Sequence, residues 1–321
     1  MKDKKQNKRI NGGHRLLFFC ILCLFGLYVA VSYAEEQPQR EQSKTKVILL
    51  HTDNLTYDQY RHPGAQILTG NVQFQHDGVL MYCDSACFYE ATNSFDAFGH
   101  VKMVQGDTLD LVGDMLLYNG LDQLARVRHN VVLTHRESKL YTDSLDYDRL
   151  YELGYFFEGG KLVDKDNVLT SDWGQYSPPT RQAVFNYNVK LENPKFTLIS
   201  DTLNYNTLTS MAEIVGPSNI DSGDNHIYSE SGFYNTQTEE AILLDRSIVT
   251  NKGRKMVGDS LYYDSKSGVG EGFRNVVYTD EVNKNMLTGN YCYYNDSTGY
   301  SMATDSAVAI DYSQRDTMYM H

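Results

Sequence analysis

Leu140-Tyr-Thr-Asp143-Ser-Leu145-Asp-Tyr147 and Leu198-Ile-Ser-Asp201-Thr-Leu203-Asn-Tyr205 are one phrase written twice: apolar-x-small-Asp-x-apolar-x-Tyr. The phrase recurs along most of the chain. Its acid falls at Asp53, Asp84, Asp114, Asp143, Asp172, Asp201, Glu230 and Asp259, with Asn290 in the ninth place, at steps of 29 to 31 residues. Four positions on stands an aromatic: Tyr57, Phe88, Tyr118, Tyr147, Tyr176, Tyr205, Tyr234, Tyr263 and Tyr294. Three positions before the acid stands Leu, Ile or Met, and directly before it a small residue. Self-similarity at a fixed period marks a repeat architecture.

The unit reads as β-structure. The 321 residues include 25 Tyr against one Trp, and no stretch after residue 46 keeps a helical period. Strand side chains alternate between faces. The apolar residue before the acid and the apolar residue after it have opposite parity, so an unbroken strand cannot bury both. The chain must bend or bulge at the small-Asp step, and each unit supplies two strands joined by a corner. A residue near eleven positions after the acid is small (Ala125, Gly154, Ala183, Ala212, Ala241), and pairs such as Gly70-Asn71 precede a strand start at Val72. A single unit buries three or four large side chains at roughly 1.5–3 kcal/mol each, too little to order it alone at roughly 1–2 kcal/mol per residue. Units must stack. The expected fold class is all-β: a flattened β-solenoid or two facing sheets of about nine units. At one layer of roughly 4.8 Å per unit, the rod is roughly 40 Å long.

Residues 1–34 read as a secretory signal peptide: six basic residues, an apolar run from Leu16 to Val31, and Ser32-Tyr33-Ala34 before Glu35. Residues 35–46 read as a polar linker, and 47–321 as the repeat domain. Ser306-Ala307-Val308 resembles the start of a tenth unit, an expectation of further sequence beyond His321. The chain carries −12. The first 34 residues contribute +5, which leaves about −17 after cleavage. Such an acidic body argues against nucleic acid as a partner. Cys83, Cys87 and Cys292 are an odd set without zinc spacing, read as small buried residues.

Catalytic motifs are missing, and no cofactor or metal site is expected: there is no HExxH, GxSxG or P-loop. A ninefold acid is a structural corner rather than a catalyst, with Asp53, Asp84, Asp114, Asp143, Asp172, Asp201 and Asp259 expected to cap their own turns through backbone N–H groups. Asp221–His226 is read as a polar turn with only a faint calcium-loop look. Trp173 and Phe233, beside Gly174 and Gly232, are expected to compensate for side chains missing from the inner column, or else to mark a widened pocket. Leu111, Leu116, Leu140, Leu145, Leu169, Leu198, Leu203 and Ile227 form an inner apolar lane, either a closed core or an open groove for lipid chains.

The recurring Gly-Asn-Val…Leu-x-x-Asp-x-Leu-x-Tyr…Ala, carried by Gly70-Asn71-Val72, Asp143-x-Leu145-x-Tyr147 and Asp201-x-Leu203-x-Tyr205, resembles the OstA-like family over residues 47–321. That family includes the periplasmic lipopolysaccharide-transport bridge and the N-terminal part of its outer-membrane receptor. The resemblance implies a twisted β-jellyroll open along one side, a non-enzymatic role in outer-membrane assembly, and a periplasmic or outer-membrane-associated place. It implies lipopolysaccharide or another glycolipid as ligand, and other transport proteins as partners through exposed strand edges, with head-to-tail self-association expected from the same edges. Two other readings stand beside it: a surface or polysaccharide-binding β-solenoid with outward aromatics, and a parallel β-helix carbohydrate enzyme. An inward or outward Tyr column separates lipid from sugar binding.

Overall fold

A computed structural model describes residues 43–314 and 318–320. The signal-peptide reading, and most of the linker, lie outside the described residues. The last part of that linker is docked: Ser43 and Thr45 hydrogen-bond the Asp77 carboxylate, at 3.1 and 2.5 Å.

The described residues form a sheet of 25 strands in which every pairing is antiparallel and the long strands pair with their neighbours in sequence, two short strands sometimes sharing the place of one long one. A parallel β-helix is thereby excluded. The reason lies in the turns: Asp77-Gly78, for example, takes φ +46 and +77, a hairpin conformation that Asp-Gly adopts readily.

Strands such as Val79–Tyr89 and Leu109–Asn119 change their burial phase midway. In the first, Val79, Met81 and Cys83 point inward. Asp84 is then exposed, and Ala86 and Phe88 take over the inner face. The switch is the bend that parity demanded, and its mechanism is a bulge. Thr69 pairs with Ser85 and Val72 with Cys83, so Gly70-Asn71 together oppose Asp84 alone. The same two-against-one step sets Gly99-His100 against Asp114, His129-Asn130 against Asp143, Tyr187-Asn188 against Asp201 and Arg274-Asn275 against Asn290. Both members of each bulged pair are left-handed, with φ between +42 and +84. Each strand thus folds across a corner and contributes one half to each of two facing sheets. The Leu sheet carries the apolar column that precedes the acid. The Tyr sheet carries the aromatic column.

This geometry corrects the expected rise. A 29-residue unit is two bent strands, so it advances roughly 9.6 Å and the described stack extends roughly 80 Å. It also removes a problem, because a strand lies between successive acids and keeps their carboxylates apart.

The corner is held otherwise than by acids capping their own turns. The small residue before the acid spans the bend. Ser171, Ser200 and Ser229 donate from Oγ to the carbonyl two residues on, at 2.7–2.8 Å. The acid instead takes a side chain from a bulged pair. Asn71, Asn130, Asn188 and Asn275 donate Nδ2 to Asp53, Asp114, Asp172 and Asp259 at 2.6–2.9 Å, and His100 and His129 meet Asp84 and Asp143 at 2.7 and 3.1 Å. For Asp201 the structure gives position alone.

The small column has a packing role. Cross-strand pairing alternates Tyr118, Ala125, Tyr147, Gly154, Tyr176, Ala183, Tyr205 and Ala212, so each ring lies between residues with little or no side chain. Phe95, the exception in that column, stacks on Phe74 of the Leu sheet at 4.1 Å.

Two predictions test the corner. Asp172→Leu loses the Asn188 bond and lowers stability by about 1 kcal/mol, whereas Asp172→Asn is tolerated; urea unfolding followed by circular dichroism compares them. Gly99→Val places a β-branched side chain at φ +74 with Cβ 2.4 Å from Asp84 Oδ2, and costs about 1–3 kcal/mol in the same measurement.

Candidate functional site

The interior between the sheets is the candidate site. On the Leu sheet, pairing carries an unbroken ladder from Phe74 through Met81, Met103, Leu111, Leu133, Leu140, Leu162, Leu169, Leu191, Leu198 and Ile220 to Ile227. On the Tyr sheet a matching ladder includes Leu116, Val127, Leu145, Phe156, Phe185 and Leu203. The eight residues expected to line the lane all lie in these ladders, and none is more than 2 % exposed. In this structure the lane is filled by its own side chains. Sequence reading had put only every second rung on the lane. Leu133, Leu162, Leu191 and Ile220 come from the returning strands and were legible only as strand starts or not at all.

Trp173 and Phe233 do not refill the inner column. Strand alternation sends them outward, and Phe233 is 39 % exposed. Phe156 occupies the space at Gly174, where a Cβ would lie 2.4 Å from its Cζ, and at Gly232 the Ile242 carbonyl comes equally close. The first unit also departs from its columns. Leu49 rather than Leu50 faces the core, because a register shift intervenes, and Leu50, Leu55 and Tyr57 lie about half exposed on the edge strand.

The Tyr column points inward, and Tyr147, Tyr176, Tyr205 and Tyr234 are at most 1 % exposed. Four of its hydroxyls cross to polar groups of the Leu sheet near the strand ends, whereas those of Tyr147 and Tyr234 are buried without a hydrogen-bond partner among the described residues. Tyr118 meets His76 Nδ1 at 2.7 Å, and Tyr176 meets His135 Nδ1 at 2.8 Å. Tyr205 donates to Asp164 Oδ2 at 2.8 Å, and Tyr263 donates to Asn225 Oδ1 at 2.7 Å. Burial raises the pKa of each of these phenols, so they remain neutral donors.

Opposite the corner, the hairpin turns of the two sheets meet along a seam. Among the described residues, the turn-to-turn backbone hydrogen bonds of each sheet stay within that sheet, as from Thr207 N to Arg181 O, Thr236 N to Ser210 O and Glu281 N to Gly253 O. Side chains clasp the seam. Arg149 donates to the Tyr118 hydroxyl and to the His76 carbonyl, Gln105 Nε2 donates to Glu152 at 2.6 Å, Lys195 pairs with Glu239 at 2.7 Å, and Arg254 pairs with Asp296 at 2.8 Å. Burial drives the Cys83 thiol up to about 12 and Cys292 up to about 11, and both cysteines are free core residues. Among the described residues no cluster of potential ligands has the makings of a metal site.

Two of the struts titrate. Burial lowers His76, against the opposing pull of Asp77 and Thr45. Burial, helped by Arg181 and Arg136, lowers His135. The unfolded chain therefore binds more protons just below the ordinary imidazole value of about 6.5, so stability is full above that pH and is lost as pH falls toward the lowered folded values. Thermal midpoints are expected to fall between pH 7.5 and 5.5, with a shallower fall in His135→Gln, as read by circular dichroism.

The profile of the family described as OstA-like protein matches residues 44–201 and again 195–259. Among solved structures 18 chains match. One is LptH of Pseudomonas aeruginosa, described as the LptA-homologous periplasmic component of its lipopolysaccharide transport device; it is 16 % identical over 34 % of this chain and 82 % of that one, with a TM-score of 0.32. No curated protein matches. The family profile spans most of the repeat, from the first corner to the eighth, and on that footing this chain belongs to the OstA-like protein family.

Proposed function

We propose that the chain is an exported, non-enzymatic scaffold that takes the acyl chains of lipopolysaccharide or a related glycolipid between its two sheets and relays them toward the outer membrane. The observation that carries this reading is the pair of apolar ladders running through the described stack behind a seam that, between the hairpin turns, is closed by side chains. A seam of that kind parts without breaking either sheet. Acyl chains entering it exchange water for hydrocarbon at about 0.8 kcal/mol per CH₂, and the inner rungs move aside to receive them. Family membership supports the ligand class. LptH is described as a periplasmic component of a lipopolysaccharide transport device, and a periplasmic place is our reading for this chain too.

Exposed strand edges are the proposed contacts with other transport proteins or with further copies of this chain. Among the described residues, Ile48–His51 and Asn54–Tyr57 pair on one side only. Such edges accept a strand. A polysaccharide-binding role keeps one observation in its favour: Phe233, Ile242 and Phe273 are exposed on the outer side of the Tyr sheet. The inward Tyr column favours lipid.

A photo-crosslinking residue at Leu145 or Leu203 is expected to capture lipopolysaccharide or another glycolipid in cells, and one at Asp146 or Asn204 is not. Equal capture at inner and outer positions, or none at either, would remove the transport reading.

A further inference from the structure

The seam clasps recur along the stack, and at one of their places two like charges stand opposite each other. Gln123 Nε2 donates to Asp77 Oδ2 at 3.0 Å, Lys165 Nζ to Ser210 Oγ at 3.1 Å, and Lys195 Nζ to Glu239 Oε1 at 2.7 Å, joining turn residues 44 to 46 positions apart. The equivalent pair, 45 apart, is Arg136 and Arg181. Both take the left-handed turn conformation, φ +56 and +60, that Asp77, Gln123, Lys165, Ser210 and Glu239 also take. Two guanidinium groups repel and cannot clasp, and neither has an ion-pair partner among the described residues.

A cavity of about 600 Å³ lies where the clasp would be, lined by both arginines with Gln105, His135, Glu152 and Pro178. A smaller one of about 340 Å³ shares the two arginines and adds Lys165 and Asp164. The nearby carboxylates are engaged. Glu152 accepts from Gln105, and Asp164 accepts from Ser138 at 2.7 Å and from Tyr205 at 2.8 Å. Glu137 is exposed at the mouth of the smaller cavity. Both arginines bear on His135, whose proton affinity they lower together, so their fields converge on one region. Gln105 adds a second demand, because its Oε1 is buried without a donor.

We propose that this seam pocket binds a phosphate monoester carried on a sugar headgroup, with Arg136 and Arg181 gripping the phosphate from opposite sheets and Gln105 Oε1 accepting a sugar hydroxyl. Guanidinium groups suit this task because they present paired donors to phosphate oxygens. The anion supplies the charge that the broken clasp lacks, so the ligand itself closes the seam at this unit. An otherwise acidic chain, −12 overall, thereby confines its attraction for anions to one place on the stack. The assignment rests on the glycolipid reading for the source of the headgroup, and on the arginine pair and Gln105 for its chemistry.

Calorimetric titration of the full chain with glucosamine 1-phosphate, inorganic phosphate and glucosamine tests it. Glucosamine 1-phosphate is expected to bind about tenfold or more tighter than inorganic phosphate, and glucosamine not measurably. Arg136→Gln and Arg181→Gln each weaken binding by about tenfold or more. Both variants keep the wild-type circular-dichroism spectrum, and neither lowers the thermal midpoint, since each removes a repulsion. The sugar phosphate raises the midpoint of the wild type and not of the variants. Binding that survives both substitutions, or no binding at all, overturns the site, and equal affinity for inorganic phosphate overturns the headgroup. The soluble probes have no acyl chain, so this result stands apart from crosslinking at Leu145. Lipid capture there without phosphate binding removes only the pocket, and the reverse removes only the transport reading.

Discussion

A strand has two faces, and this sequence has apolar residues on both. Everything else in the fold depends on how that conflict is settled. The two-against-one bulge inserts an extra residue on one strand opposite the acid of the next, and the inward face changes over at that point. One 11-residue strand such as Val79–Tyr89 can then wall both sides of an interior. The cost is two left-handed residues per bulge, borne mostly by Gly and Asn, which adopt that conformation most easily. The Asn or His of the pair repays part of it locally by binding a corner acid. Without the bulge, Leu140 and Leu145 would lie on opposite faces, and the paired ladders would not face each other.

The interior follows from that corner. Strands return antiparallel, so rungs from outgoing and returning strands alternate, and the Tyr rings find Ala or Gly as cross-strand neighbours. The rings then reach across to polar groups at the strand ends of the other sheet. At Tyr118, Tyr176, Tyr205 and Tyr263 the phenol is apolar where it meets the core and polar where it nears the seam, which suits Tyr rather than Phe to those places.

Much of this was legible in the sequence. The Leu and Tyr columns, the parity conflict and the need for a bend at Asp143 or Asp201 follow from spacing alone. The rise per unit did not, because a period counts residues and not strands, and two strands fit in 29 residues as readily as one coil. Leu133 and Leu191 escaped notice as rungs because their strands return with a different offset from the acid. The corner contacts were misassigned because the partner of Asp172 is Asn188, on a strand whose register the sequence does not state. Arg136 and Arg181 were invisible for a related reason. Neither belongs to a column of the repeat phrase, and only the stacking of turns sets them opposite one another.

The seam gives the molecule two unequal stiffnesses. Along the stack, and around the corner, deformation must stretch backbone hydrogen bonds that are cooperative over many strands. Across the seam between the hairpin turns it need only separate side-chain contacts, each joining turn residues about one and a half units apart. On the relay function proposed above, a guest would open a few clasps ahead while those behind reclose, so that the aperture travels while the frame stays still. In mechanical terms the protein is a zip whose teeth are replaceable one at a time, mounted on a spine that does not bend.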